Sequence, residues 1–211
     1  MIESARGLFA SQGYVATTIE DIAVAAGLAV PTVYKHFGSK RGLLMALIER
    51  TVDRRVPDLI SGVMAEADPR RRVAALARMC VALASQAPDV ISTAMSAATV
   101  DPAFAEMITQ AEESRRNNAG RVARSIAEDG ALAVGVDERE AQDVLWALAG
   151  PQLYDLLAIR SGWGDDRFGE WLVAALAELV LRPEFALQRV EPDRSAAVDA
   201  VPPGDDRHES G

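Results

Sequence analysis

The chain has 211 residues, of which 49% are hydrophobic and only 5% aromatic, and it carries a formal net charge of −9. Its apolar surface comes mainly from Ala, Leu and Val, which favours packed helices over a β-sandwich, and the lone Cys80 excludes an intrachain disulfide or a cysteine-cluster metal site. The charge is uneven, because residues 1–55 are net positive by two and the remaining residues carry −11.

The sequence lacks the pattern of a targeting or membrane segment. Glu3 and Arg6 interrupt the first apolar residues, and a membrane helix would need about 18 or more consecutive residues that are mostly apolar and uncharged. We therefore expect no secretory signal and no membrane span. With a single thiol, we expect a reducing, cytoplasmic location.

The first two predicted helices are short. Apolar residues recur at helical spacing from Ile2 to Phe9, and Gly13 stands where a C-terminal cap would end that helix. Thr17 or Thr18 can start the second helix, because each precedes an acidic residue by three positions.

The next two helices complete a recognisable arrangement. After a turn that begins at Gly27, a third helix is predicted from Val30 to about Phe37, with a proline tolerated in its first turn. Ser39 can cap a fourth helix, which extends to Pro57. Two short helices joined by a Gly-containing turn describe a helix-turn-helix, whose second helix can enter the major groove of DNA. A purely structural hairpin is the alternative.

Longer helices are predicted beyond this point. Their approximate bounds are 69–87, 88–97, 102–128, 137–160 and 167–181. The last two are apolar around most of their circumference and therefore need two burial partners. We expect them to form a symmetric homodimer interface, with burial inside one subunit as the alternative. Gly150-Pro151 should kink the first of the two.

The sequence thus predicts an all-α fold. An N-terminal three-helix helix-turn-helix DNA-binding domain precedes a C-terminal helical domain for ligand binding and dimerisation. The Pro-, Asp- and Arg-rich end should be a disordered tail. The predicted bounds are 1–45, 46–182 and 183–211.

The segment from Gly13 to Leu44 closely resembles the signature of TetR-family regulators. The matching residues are Gly13-Tyr14, Thr17-Thr18, Asp21-Ile22-Ala23, Ala26-Gly27, Thr32-Val33-Tyr34, His36-Phe37 and Ser39-Lys40. Beyond residue 55 the resemblance is only architectural. It implies a dimer on a palindromic operator, repression as the family's usual mode, and release by a small-molecule inducer. It also implies that the helix from Lys40 to Val56 transmits the ligand's effect. Members often carry a basic arm before helix one, whereas this sequence begins almost at the helix with Met1-Ile2-Glu3; either the arm is absent or the true start lies upstream.

The candidate DNA contacts lie on helices two to four. They are Thr18, Val30, Pro31, Thr32, Tyr34, Lys35, His36 and Lys40. Thr18 can cap its helix and also bind a phosphate, while Tyr34 and Lys40 resemble the family's phosphate clamp. The tip at Val30, Pro31 and Thr32 would read thymine methyls and donate one hydrogen bond, so direct base readout should be modest.

Candidates for an inducer pocket are adaptable, mainly apolar side chains in the second domain. They are Met79, Cys80, Met95, Met107, Trp146 and Tyr154. The alternative for each is an ordinary core position. We expect an apolar or amphipathic inducer.

The sequence shows no catalytic motif of the common hydrolase, phosphate-loop or zinc-protease kinds, so we expect no enzyme and no cofactor. His36 could ligate a metal, but other ligand types are not at ligand spacing and His208 lies in the tail, so we expect no metal site. The alternative to DNA binding is a helical module that docks on protein.

Overall fold

The computed structural model describes residues 1–51 and 56–185. In these residues the fold is all-helical, as predicted, apart from one isolated bridge between Leu132 and Leu181. The tail prediction falls mostly on residues 186–211, which lie outside the described residues. The helices are α1 Ile2–Ala16, α2 Ile19–Ala26, α3 Val30–Phe37, α4 Lys40–Thr51, α5 Val56–Ala65, α6 Pro69–Ser85, α7 Pro88–Ala98, α8 Pro102–Glu128, α9 Glu138–Leu148, α10 Pro151–Tyr154 with the π-helical turn Asp155–Arg160, and α11 Gly164–Val180.

Three predicted helix bounds were wrong. Helix one does not end at Gly13 but kinks there, where glycine adopts φ 80° and ψ 162°, and continues to Ala16. Pro57 does not end a helix; it stands in the first turn of α5, where proline is well tolerated. The predicted helix 137–160 is not one continuous helix: at Gly150-Pro151, where a kink was predicted, it breaks completely, and the Gly150 backbone is extended.

We call α1–α4 the head and α5–α11 the body. The head has an apolar core that includes residues of α7 and of the start of α8, so the two parts share buried surface. The fully buried Phe104 of α8 stands edge-on to Tyr14, with ring centroids 5.6 Å apart. At its other end α8 places Ile126 in the core of the body. The 27 residues of α8, about 40 Å long, therefore connect both cores, and the domain boundary after residue 45 stays a prediction.

Among residues 1–51 and 56–185, two ion pairs join the head to the body. Arg6 of α1 donates to both carboxylate oxygens of Asp89 on α7, at 2.6 and 2.8 Å. This hydrogen-bonded guanidinium lowers the pKa of Asp89. Arg41 of α4 donates to Asp101 at 2.7 Å, and Asp101 also caps α8 through the backbone N–H of Ala103. The head is thus held by charge as well as by apolar contact.

Candidate nucleic-acid interface

The start of α2 is closed by a reciprocal cap. The Thr18 hydroxyl accepts from the backbone N–H of Asp21 at 3.1 Å, and the Asp21 carboxylate accepts from the backbone N–H and the hydroxyl of Thr18. These hydrogen bonds lower the pKa of Asp21. Thr18, rather than Thr17, is therefore the cap, while Thr17 is buried and bonds to the Gly13 carbonyl. The role of Thr18 at a phosphate stays a prediction.

The position of α3 is fixed by one buried side chain. Val33 is completely buried against Ile19 and Ala23 of α2. Because a helix presents its faces with a period of 3.6 residues, burying Val33 leaves Pro31 exposed at the amino end of α3. Val30 and Thr32 beside it are half-buried.

The outer face of α3 is polar and exposed. Tyr34 is 47% exposed, and Lys35 and His36 are exposed beside it. The Nδ1 atom of His36 lies 2.8 Å from the Thr32 carbonyl oxygen, so Nδ1–H donates to the helix and Nε2 is the ring nitrogen directed away from that bond. All three of these predicted contact residues are thus open to solvent on α3.

Lys40 has a structural role that the sequence did not reveal. Its Nζ donates to the backbone carbonyls of Tyr14 at 2.7 Å and Thr17 at 2.9 Å, with Val15 at 3.3 Å. It also lies 4.5 Å from the centre of the Tyr14 ring. Burial lowers its pKa. Lys40 therefore ties the start of α4 to the end of α1, and its predicted contact with phosphate would have to share these bonds.

Much of the positive charge of the head already has partners within the protein. Arg6 and Arg41 pair with aspartates of the body, and Lys40 engages backbone carbonyls. Lys35 is consequently the lysine that α3 itself presents to solvent. Because the electrostatic part of DNA affinity follows the number of neutralised phosphates, this interface should depend on few ionic contacts.

Gly42 is a residue that the sequence analysis missed. A Cβ atom at this position would lie 2.0 Å from the carbonyl oxygen of Phe37, the last residue of α3. Ser39, as predicted, caps the same turn by accepting from the backbone N–H of Gly42 at 3.0 Å. Only glycine permits this approach of α3 to α4. The available signal was a glycine in the first turn of a helix, where it costs helix propensity.

The six predicted ligand residues do not come together. Met79, Cys80 and Trp146 pack against the core of the body, whereas Met107 packs against the core of the head. Burial raises the pKa of the Cys80 thiol to about 11. Met95 and Tyr154 do line one cleft, which is described below. The six therefore do not line one common cleft, and contact of any of them with a ligand stays a prediction.

Two further observations concern other classes of site. Within residues 1–51 and 56–185, no group of three or more His, Cys, Asp or Glu side chains could hold a metal ion. In the same residues no single helix is long and apolar enough to cross a membrane; α6 and α7, bent by 79°, meet that test only as a pair.

Comparison with known proteins connects this geometry to regulators. Residues 1–47 match the family model described as bacterial regulatory proteins, tetR family. The chain is 30% identical over 116 residues to the HTH-type transcriptional regulator BetI of Rhizobium meliloti (strain 1021), over 55% of this chain and 54% of that protein. The chain spans about half the length, or less, of the curated relatives that it matches.

Solved structures show the same fold. A transcriptional regulator of Saccharomonospora viridis in complex with choline has a TM-score of 0.67 and 22% identity, over 85% of this chain and 95% of that one. AibR in complex with isovaleryl coenzyme A and operator DNA has a TM-score of 0.64 and 20% identity, over 82% and 94%. At such identities the likeness establishes the architecture of head and body.

Proposed function

We propose that the chain is a TetR-family regulator, as the match of its residues 1–47 to that family's model supports, and that it represses transcription by binding a palindromic operator as a homodimer, from which a small-molecule inducer releases it. The observation that carries the proposal is the placement of α3, with Val33 buried beneath it and Pro31 exposed at its tip. Such a helix can enter a major groove. The similarly folded AibR is bound to operator DNA and to an acyl coenzyme A. The family is one of regulators and not of enzymes.

The residues at the tip of α3 contact the bases. Val30 and Pro31 contact thymine methyl groups, and the Thr32 hydroxyl makes one hydrogen bond to a base edge. Because the tip has no Arg, Asn or Gln to make bidentate contacts, DNA shape and half-site spacing supply much of the selectivity. The two heads of a dimer must then lie about 34 Å apart to reach successive major grooves.

Phosphate contacts come from the outer face of α3 and the start of α2. Tyr34 donates its phenol O–H, and Lys35 supplies the positive charge. His36 and Thr18 lie beside them at the edge of the interface, and Lys40 supports the interface by holding α1 in place.

The homodimer forms through α9, α10 and α11. Leu156, Ile159 and Leu179 are 51%, 47% and 49% exposed, although such side chains are usually buried. Between α9 and α11 lies an open groove of about 530 Å³ with Val144, Leu148 and Leu179 in its lining. A symmetric second copy would cover both the groove and the exposed side chains.

The test begins with selection of bound fragments from a random duplex library and continues with affinity measurements on a selected duplex. Because the logarithm of affinity falls with the logarithm of salt by about 0.9 per phosphate contact, Lys35→Ala should reduce this slope by about 1.8 in a dimer. Tyr34→Phe should weaken binding by more than about tenfold, since each head of the dimer loses one hydrogen bond to a charged group, worth about 1.5–3 kcal/mol, and should leave the slope unchanged.

The control is Arg78→Ala, which removes an exposed charge from α6 of the body. It should change neither affinity nor slope. Failure to enrich any duplex, with the dimer intact, would contradict the proposal and favour a protein-docking module.

A further inference from the structure

A cleft of about 470 Å³ opens between α7 and the segment of α10 and the π-helical turn. Its size lies within the range of about 300–1,000 Å³ usual for small-molecule sites. Ile91, Met95 and Leu156 provide apolar walls, while Ser92, Ser96 and Gln152 bring hydroxyl and amide groups into the same space. An occupant therefore needs both an apolar part and a group that hydrogen-bonds.

The charges at the cleft cancel. Asp155 and Arg160 both line it, and the Arg160 Nε lies 2.7 Å from the Asp155 carboxylate. These residues are five apart, at the two ends of the π-helical turn, and a π turn brings residues at that spacing into register. Since the one carboxylate is already paired with the one guanidinium, the lining offers no unopposed charge to an ionic ligand.

The helix α7 presents two different faces. Ile91, Ser92 and Met95 face the cleft, whereas Val90 is buried in the core of the head and Asp89 holds Arg6 of α1. A molecule that displaces α7 from the cleft side therefore acts on α1 through these contacts.

We propose that this cleft is the effector site, that it takes an uncharged amphipathic molecule with an alcohol, phenol, amine or amide head, and that its occupancy reaches the DNA-reading head through α7 and α1. The regulatory part of this inference rests on the proposed function. A ligand shifts the orientation of the head only by its different affinity for the two states. The contact of α7 with α1 couples the shape of the cleft to the position of the head, in addition to the α4 route implied by the family resemblance.

The ligand chemistry is tested on the full chain with two fluorescent probes. N-phenyl-1-naphthylamine is uncharged and has one N–H donor, and 1-anilinonaphthalene-8-sulfonate is its close charged analogue. We expect the uncharged probe to bind at least tenfold more tightly, and Met95→Trp or Ser92→Trp to abolish its binding by filling the cleft. Tighter binding of the sulfonate, or binding that both variants retain, would overturn the assignment.

The route to the head is tested by filling the cleft covalently. Ser92→Cys and Ser96→Cys are treated with N-cyclohexylmaleimide, with Ser114→Cys on the exposed face of α8 as the matched control. The native Cys80 should react slowly, because its raised pKa keeps it as a thiol. Labelling in the cleft should increase hydrogen exchange of the α1 amides severalfold, and labelling at Ser114 should not.

The same proteins then separate the two proposals. If the unlabelled chain binds its selected duplex, the cleft labels should weaken that binding at least tenfold, and Asp89→Asn should reduce the ratio between labelled and unlabelled affinity. If labelling the cleft leaves hydrogen exchange of the α1 amides unchanged, the inference about the cleft is wrong, whether or not the chain binds DNA, and the proposed function is unaffected. A chain that binds no duplex while its α1 responds to the labels overturns the proposed function alone.

Discussion

At Lys40 a single ammonium group holds together two helices whose residues lie about 25 positions apart in the chain. Replacing it by methionine keeps the aliphatic length but leaves the carbonyls of Tyr14 and Thr17 without this donor. Since hydrogen bonds to charged groups contribute about 1.5–3 kcal/mol, and this site is partly open to water, we expect a loss of about 1–2 kcal/mol. The melting temperature should fall by about 3–6 °C.

Scanning calorimetry of Lys40→Met and Lys35→Met tests this structural role of Lys40. Lys35 is exposed on α3, so Lys35→Met should have the same melting temperature as the wild type. Equal melting temperatures for all three proteins would mean that Lys40 has no structural role.

Single residues differed in how far their roles could be predicted. Local spacing limited the cap of α2 to Thr17 or Thr18, because capping involves neighbours in the sequence, and the structure identifies Thr18. The bonds of Lys40 and the pairing of Arg6 with Asp89, 83 residues away, depend on tertiary packing. No local pattern contains that information, so these cations were assigned to DNA or left without a role.

At the turn from α3 to α4 the two helices approach closely, and Gly42 permits that contact. In Gly42→Ala the new methyl group would overlap the Phe37 carbonyl, so α3 must shift relative to α4. Overpacking of this kind costs about 1–3 kcal/mol. We expect a lower urea midpoint and, because the tip of α3 moves, a loss of duplex affinity that exceeds the loss of folded protein.

Gly7→Ala is the matched variant, since it lies on the exposed side of α1 with open space around its Cβ position. It should be stabilised by about 0.5–1 kcal/mol, the difference in helix propensity. If Gly42→Ala behaves like Gly7→Ala, the contact between α3 and α4 does not require glycine.

Helices whose start is marked by a proline were predicted well, and elements without such a signal were not. Proline in a first turn marks α3, α6, α7 and α8, each of which begins near its expected residue. The prediction at Pro57 was wrong, because proline can either start or end a helix; Pro57 lies in α5, which buries Ile60 and Val63. The π-helical turn has no sequence signature of this kind, so the cleft that it completes was not foreseen.

For the molecule as a whole, the exposed apolar face of α9, α10 and α11 is the surface on which a second copy is proposed to bind. Leu179→Arg places a charge there, and two-fold symmetry would bury it twice. Breaking an interface with an unpaired buried charge costs about 3–5 kcal/mol, which corresponds to more than a hundredfold in dimer dissociation. Analytical ultracentrifugation should find monomers at micromolar concentration.

The comparison variant is Val100→Arg, which adds the same charge at a 57% exposed position between α7 and α8; it should remain dimeric. Because a palindromic operator is held by two heads at a fixed separation, the monomeric Leu179→Arg should lose nearly all affinity for a full site while each head stays folded. A monomer that protects the full palindrome with wild-type affinity would show that one head suffices. The proposed link between the body's dimer face and DNA reading would then be wrong.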